Sequence, residues 1–251
     1  MEKTPRSRLI WGVIFLVLGA WPVWAQDNLE PDASPQQARS QLNKGLRLES
    51  SGRYEDALQA YQEALKLKPD YADAHHCLGL AYARLNRYPE AVKEFKEAIR
   101  LQPQWAKAYE NLGVAYVKSG LWQDALNAFK ETVRLQPDDA EAHYNLGLAY
   151  GRLKRDQEAQ QAFAQAIRLK PGLAKAHTNL GMAYVNLDRW DKAGEAFKEA
   201  VRLKPDDAQA HYGLCAYYVK LGDRQAAAAE FNTLKNLDQD LARKFSETIL
   251  K

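Results

Sequence analysis

Four histidines recur at multiples of 34 residues, and they are the first candidates for metal chemistry. His75, His143, His177 and His211 occupy equivalent places along the chain, and Tyr109 takes the place between the first two. Zinc holds its ligand atoms at about 2 Å, whereas the axes of packed helices lie about 8–10 Å apart. If each histidine lies on its own helix of a stack, the rings cannot share one ion. We therefore predict rings that fill space between helices, with no metal site and no cofactor; a pH-sensitive seam is the alternative.

The sequence contains none of the common motifs of catalytic sites. It lacks the nucleophile motif G-x-S-x-G, the phosphate-binding G-x-x-x-x-G-K, the zinc motif H-E-x-x-H and the redox motif C-x-x-C. Carboxylates are numerous, but they lie beside lysine and arginine, as on solvated helix faces. These observations favour a protein that is not an enzyme and has no small-molecule substrate.

A period of 34 residues organises most of the chain. The prolines that mark it are Pro69, Pro103, Pro137, Pro171 and Pro205. A constant period of this length is typical of a two-helix repeat that stacks into a solenoid. From Ala38 onward the chain divides into six units: 38–71, 72–105, 106–139, 140–173, 174–207 and 208–241. The sequence therefore predicts an all-α fold.

Small and aromatic residues return at fixed positions of these units. The eighth residue is glycine in units one to five, the twentieth is alanine in every unit, and the twenty-fourth is tyrosine or phenylalanine. Small residues let two helices approach, and the aromatic ring fills the space between them. Proline at position 32 ends the second helix, and we expect Asp70, Asp138 and Asp206, which follow three of these prolines, to cap the next helix. Position fifteen holds a residue that tolerates a left-handed turn in every unit except the fourth, where it is Lys154.

Together these positions resemble the tetratricopeptide repeat, whose pattern reads x-x-x-[HY]-x-N-L-G-x-x-Y, then A-x-x-x-F-x-x-A, then P. The match covers about residues 38–241, and the units are similar to the repeat arm of O-linked N-acetylglucosamine transferases. The resemblance implies a right-handed superhelical solenoid in which the first helix of each unit lines the concave surface. The outer units depart from the pattern, with Lys44 before the first glycine and with Cys215 and Gln239 in place of glycine and proline. Terminal repeats are commonly atypical, because one of their faces meets water.

The sequence past the sixth unit predicts one more helix. Leu237, Leu241, Phe245 and Ile249 are spaced four residues apart, which places them on one helix face. We interpret residues 242–251 as a C-terminal helix that caps the last repeat.

Three sets of residues on the first helices are candidates for binding a partner in the concave groove. Positions six, nine and thirteen share one helix face because they are three and four residues apart. The asparagine ladder at position six is Asn111, Asn145 and Asn179; the apolar row at position nine is Leu80, Val114, Leu148 and Met182; and the basic row at position thirteen is Arg84, Lys118, Arg152 and Lys220.

The asparagine ladder suits the backbone of an extended peptide. An asparagine amide both donates and accepts hydrogen bonds. A strand rises about 3.3 Å per residue, so rungs about 10 Å apart would meet every third residue. A similar ladder occurs in the transferase repeat arm that these units resemble. The alternative is that the asparagines are ordinary repeat residues in contact with water.

These residue sets predict a non-catalytic protein–protein interaction module or scaffold. Its partner would be a protein or peptide segment that is extended and combines apolar with acidic residues. Two alternatives remain open at the level of the sequence. The array could bridge partners of an envelope assembly through its convex face or ends, or it could be an accessory subunit of a glycan- or protein-modifying complex.

The first 25 residues are typical of a secretory signal peptide. Three basic residues precede an apolar run that begins at Leu9, and the small residue Ala25 ends it. An uncleaved anchor formed by residues 9–25 is the alternative, because a run of 17 residues is at the short limit for spanning a hydrocarbon core of about 30 Å. Both interpretations predict an exported protein, periplasmic or secreted, that is held at the membrane only if the segment is retained. Residues 26–37 are polar, contain two prolines and are interpreted as a flexible linker.

Charge and cysteine content set two further limits. Without residues 1–25 the chain has 32 basic and 31 acidic residues. This balance gives no support for a nucleic-acid partner, whose phosphates require a basic surface. Cys77 and Cys215 lie four repeats apart, which is roughly 30–40 Å if the repeats stack, whereas a disulfide needs Cα atoms within about 7 Å. We predict two free thiols.

Overall fold

The chain folds into a stack of α-helices. The computed structural model describes residues 34–249, and none of these lies in a β-strand. The predicted leader and most of the predicted linker lie outside the described residues. In chain order the helices are α1 (Ser34–Ser50), α2 (Tyr54–Leu67), α3 (Ala72–Arg84), α4 (Tyr88–Leu101), α5 (Ala106–Lys118), α6 (Trp122–Leu135), α7 (Ala140–Arg152), α8 (Asp156–Leu169), α9 (Ala174–Asn186), α10 (Trp190–Leu203), α11 (Ala208–Leu221), α12 (Arg224–Leu237) and α13 (Gln239–Ile249).

The first twelve helices form six consecutive hairpins, and α13 follows the last. Helices α1 and α2 form unit one, and each later pair forms the next unit. The first helices of neighbouring units also contact each other: α3 contacts α5, and α7 contacts α9. The second helices of the described chain do not contact each other to the same extent. Helices on the inner side of a curved stack lie closer together, so the first helices line the concave side. This architecture confirms the predicted all-α superhelical solenoid.

Glycine at position eight lets the two helices of a unit pack through an aromatic ring. A Cβ atom placed on Gly79 would lie 2.7 Å from a ring carbon of Phe95, and one placed on Gly113 would lie 2.5 Å from Phe129. Both rings are buried, and Cβ contacts shorter than 3.0 Å essentially do not occur in proteins. The same contact recurs in units one, four and five, which confirms the predicted role of these small residues.

The turn inside each unit uses one left-handed residue, as predicted. At position fifteen φ lies between 56° and 77° in all six units. Glycine occupies this position in three units, and Asn86 and Asp188 occupy it in two others. Unit four places Lys154 there with φ of 61°, at a steric cost that glycine avoids.

Helix capping differs from the prediction by one residue. The side chain of Asp139 accepts a hydrogen bond from a backbone N–H of α7 at 2.9 Å, and Asp207 accepts two from α11 at 3.1 and 3.2 Å. Asp138 and Asp206 were therefore the wrong choices, because the turn after each proline is one residue longer than the prediction assumed. Asp70 does not cap α3 either, since a tyrosine without a side-chain cap bond occupies that position.

Both ends of the solenoid extend beyond their predicted bounds. Residues 34–37, predicted as linker, form the first turn of α1. Pro35 permits this because the first turn of a helix does not use the N–H that proline lacks. At the other end α13 begins at Gln239 rather than at residue 242, because Asp238 accepts a hydrogen bond from a backbone N–H of α13 at 2.9 Å.

Helix α13 covers the outward side of unit six. The Phe245 side chain is 1 % exposed, and its ring centroid lies 5.4 Å from that of Tyr212 and 5.8 Å from that of Phe231. Leu241 of the predicted stripe is half-buried. Leu237 is exposed, since it ends α12 instead of lying on α13.

The four recurring histidines join each unit to the end of the one before it. Nε2 of each ring lies 2.9–3.0 Å from the carbonyl oxygen of the preceding position-32 proline. Nδ1 of His75 and of His211 also bonds a glutamate of the same unit, Glu94 at 2.7 Å and Glu230 at 2.6 Å. Each ring is therefore a structural link between consecutive units, a role that the prediction of a space-filling ring did not include.

Candidate functional site

The apolar row lies on the first helices α3, α5, α7 and α9. Val114 and Met182 expose 42 % and 39 % of their surface, and Leu80 and Leu148 are half-buried. Leu46 holds the same position in unit one and is 44 % exposed, so it extends the row by a residue that the prediction omitted. Large apolar side chains that are exposed in line are typical of a surface that binds another molecule.

The asparagine ladder is partly engaged within the solenoid. Nδ2 of Asn111 donates a hydrogen bond to Nε2 of His76 at 2.8 Å. Nδ2 of Asn179 donates to a carbonyl oxygen of its own helix at 2.8 Å and lies 3.4 Å from the Tyr144 hydroxyl. The Asn145 amide makes no hydrogen bond to any described residue. Asn111 is thus held by the preceding unit and Asn179 mainly by its own helix, whereas the Asn145 amide has no partner among the described residues.

His76 orients Asn111 because its ring is buried and neutral. The side chain is 9 % exposed, and its ring centroid lies 4.4 Å from that of Trp105. Burial lowers the pKa of His76, so Nε2 is available to accept a hydrogen bond. Sequence reasoning missed this pair, in which position five of one unit meets position six of the next. The same relation joins Tyr144 to Asn179, but the residue type at position five varies between units, so the sequence pattern gives no signal for it.

The ladder cannot continue into unit six. Its position there is Gly213, where a Cβ atom would lie 2.5 Å from the ring of Phe197. In the same junction Tyr217 replaces the small residue of most other units and packs on Gly194, where a Cβ atom would lie 2.4 Å from its ring. Helices α10 and α11 therefore use glycine on both sides to fit two aromatic rings.

The basic row carries charge that no described residue neutralises. Its members Arg84, Lys118, Arg152 and Lys220 are exposed and form no ion pair with a described carboxylate. The Arg152 guanidinium and the Lys220 ammonium each lie 5.4 Å from the centre of a tryptophan ring of the preceding unit. These cation–π contacts position the two side chains without neutralising their charge.

The three predicted sets of residues meet at one recess between units four and five. A cavity of about 280 Å³ opens there among α7, α8 and α9, and we call it the junction pocket. Leu148 and Met182 of the apolar row, Arg152 of the basic row and Asn179 of the ladder all line it. A larger cavity of about 600 Å³ lies beside Phe231 and Phe245 at the C-terminal end, and no predicted site residue lines it.

Within residues 34–249 no three histidine, cysteine or acidic side chains come together as a metal site would require. No helix of this part combines the length and hydropathy of a membrane span.

Stacked helical hairpins, glycine–aromatic packing and a concave row of exposed residues define a tetratricopeptide-repeat (TPR) solenoid. The family model described as "Cilia and flagella-associated protein 70 C-terminal domain" matches residues 25–244, and the chain belongs to this TPR family. The more specific likeness to the transferase repeat arm stays a prediction. No curated protein matches the sequence significantly.

Solved TPR structures are similar to the chain over most of its length. MamA from Desulfovibrio magneticus RS-1 is 28% identical, with a TM-score of 0.64, and the match covers 68% of this chain and 97% of that one. YrrB is 21% identical, with a TM-score of 0.64 and coverage of 76% and 99%. PilF from Pseudomonas aeruginosa is 19% identical, with a TM-score of 0.70 and coverage of 86% and 99%. These likenesses confirm the fold.

Proposed function

We propose that the chain is a non-catalytic interaction module that holds an extended segment of a partner protein in its concave groove. The observation that carries this proposal is that the apolar row and the basic row lie side by side along the first helices. The apolar row has no partner for its exposed surface, and the basic row has no carboxylate partner among the described residues. A segment that combines apolar and acidic residues complements both.

The ladder supports a ligand that is extended rather than helical. Oδ1 of Asn111 and of Asn179 accepts no hydrogen bond from a described residue, and the Asn145 amide is free to donate and accept. These groups match the backbone N–H and C=O groups that an extended segment leaves unpaired. YrrB is described as a TPR protein with an unusual peptide-binding site. That property belongs to YrrB, and the groove residues of this chain are the basis for proposing it here.

Charge reversal of the basic row tests the groove. Peptides are selected from a displayed random library on the purified protein, and their affinities are measured by fluorescence anisotropy. The triple variant Arg84→Glu, Lys118→Glu, Arg152→Glu should weaken the selected peptides at least about tenfold, since exposed ion pairs contribute about 0.2–1 kcal/mol each and reversal adds repulsion. The effect should shrink as salt is added.

A matched control reverses three charges outside the groove. Lys170, Lys204 and Lys235 are exposed and lie at the ends of second helices, so changing them to glutamate alters the net charge equally. Peptide affinity should then stay near the wild-type value. Equal loss in both variants would mean that net charge alone matters. Unchanged affinity in the groove variant would instead favour bridging through the convex face or ends.

The ladder has its own test at Asn145. Because this amide has no partner in the described chain, Asn145→Ala should leave stability unchanged and weaken peptide binding by a few-fold to about tenfold, the usual range for one hydrogen bond. Asn111→Ala is a poorer probe, since it would leave the buried Nε2 of His76 unpaired. Full affinity in Asn145→Ala would remove the ladder from the proposal.

Export is part of the proposed function and rests on the sequence of the first 25 residues. Cell fractionation of the full chain, with identification of its mature N-terminus, tests it. A product in the envelope or medium that begins near Gln26 indicates cleavage, and an envelope product that retains residues 9–25 indicates an anchor. An uncleaved product confined to the cytoplasm would contradict export.

A further inference from the structure

One side of the junction pocket is formed by a residue without a side chain, at position twelve of unit four. That position is Gly151, whereas the other units carry glutamate, alanine or valine there. A Cβ atom on Gly151 would meet only the Cβ atom of Ala159, at 3.9 Å, which is an ordinary contact distance. Packing therefore does not require glycine here, in contrast to position eight. A glycine within a helix lowers helix stability. Gly151 leaves open space on the side of α7 that lines the junction pocket.

The interior of the junction pocket is apolar and large enough for an aromatic ring. Ala159, Phe163 and Ala183 line it and are buried from bulk water. Leu148 and Met182 form its sides. The unbranched Met182 is 39 % exposed, and a methionine side chain adjusts readily to a ligand. Apolar cavities of about 150 Å³ hold a benzene molecule, and this pocket has about 280 Å³.

The polar rim of the pocket favours an acidic group. Asp156 lies in the first turn of α8 and accepts a hydrogen bond from Nδ2 of Asn186 at 2.8 Å. The helix N-terminus and this bond stabilise the Asp156 carboxylate where it stands. Arg152 has no carboxylate partner in the described chain and is held over the ring of Trp122. Arg152 is therefore the rim group that can form an ion pair with an acidic ligand.

The geometry points to the junction pocket as the specificity site of the groove. It takes the phenyl ring of one phenylalanine in an extended partner segment, and Arg152 binds the carboxylate of an acidic residue beside that phenylalanine. This inference rests on the proposed function and adds to it a fixed position and a preferred pair of residues. No other unit has glycine at position twelve, and unit two comes nearest with Ala83.

Filling the pocket tests the inference. Gly151→Val introduces the residue that units three, five and six carry at this position, and Gly151→Ala fills less of the space. The control is Ala83→Val, the same kind of change at position twelve of unit two. Peptides from the displayed random library are selected separately on the purified wild-type protein and on each variant. Circular dichroism and urea unfolding show whether each variant keeps the wild-type fold.

The wild-type protein and Ala83→Val should enrich peptides in which phenylalanine adjoins aspartate or glutamate. These peptides should bind Gly151→Val roughly 10–100-fold more weakly, as expected when one ring is no longer buried, with an intermediate loss in Gly151→Ala. Changing the phenylalanine of the peptide to alanine should weaken binding to the wild-type protein by a similar factor. The same change should have little effect on binding to Gly151→Val.

The outcomes separate this inference from the function on which it rests. Peptides that lose affinity in the charge-reversed groove variant, yet bind Gly151→Val at full strength, would overturn the pocket and leave the groove intact. If the selected peptides show no preference for phenylalanine, the pocket inference is likewise overturned and the groove proposal stands. Failure to select any peptide that is sensitive to the groove variant would overturn both proposals.

Discussion

Replacing Gly113 with alanine should destabilise the solenoid, although alanine is the better helix former. In a helix interior alanine is favoured over glycine by about 0.5–1 kcal/mol. The new Cβ atom would lie 2.5 Å from the ring of Phe129, which is 2 % exposed. Ring or helix must shift by about 1 Å to restore ordinary contact, and overpacking of this kind costs about 1–3 kcal/mol. We expect a net loss of about 1–2 kcal/mol, or on the order of 2–8 °C in melting temperature.

The chain supplies a matched control for this change. Gly151→Ala is the same substitution in the next first helix, where the nearest atom is 3.9 Å away, so it should be neutral or stabilising by up to about 1 kcal/mol. Urea unfolding followed by circular dichroism gives the midpoints of both variants. Adding Phe129→Leu to Gly113→Ala should recover part of the loss. If the Gly113 and Gly151 variants are equally stable, our account of helix packing within a unit is wrong.

Three further predictions concern buried and capping groups. Burial opposes the charge of His75, but hydrogen bonds to Glu94 and to a backbone carbonyl outweigh it and raise the pKa of His75. The contribution of His75 to stability is therefore complete below about pH 6.5 and lost as the pH rises through the raised pKa. The variant Glu94→Gln should show a weaker dependence of the urea midpoint on pH in this range. If the wild type and the variant depend on pH equally, the hydrogen bond to Glu94 does not have this effect. In thermal unfolding, Asp207→Ala should lower stability by about 0.5–2 kcal/mol, whereas Asp206→Ala should leave stability unchanged. A larger loss in Asp206→Ala than in Asp207→Ala would show that Asp206 is the capping residue. Burial raises the pKa of the free thiol of Cys215 to about 12, so a thiol reagent at pH 8 should label it only on unfolding, and rapid labelling of the native protein would contradict its burial.

The repeat was predictable because its main contacts lie within one unit and recur. Gly113 and Phe129, for example, are sixteen residues apart, and the equivalent pair has the same spacing in four other units. Helix boundaries were less predictable, because a turn one residue longer moves the capping role from Asp206 to Asp207. At the start of α1, Pro35 was interpreted as a residue of the linker, although proline is equally suited to the first turn of a helix.

The groove was predictable in outline and not in its details. A regular spacing placed Val114 and Met182 on one exposed row. The hydrogen bond between His76 and Asn111 depends on position five, which varies between units, so one unit does not predict the next. The junction pocket depends on a missing side chain at Gly151. A sequence pattern of residue types that bind ligands does not indicate an empty space.

Helix α13 also determines how a protein of this kind can grow. Because the buried ring of Phe245 closes the outward side of unit six, a duplicated unit appended there would have to displace the whole helix. A unit inserted between two internal units meets surfaces that already fit a neighbour on both sides. Lengthening of this solenoid, by evolution or by design, is therefore expected ahead of α13 rather than beyond it. Each such insertion would move the two ends apart while preserving the chemistry of both.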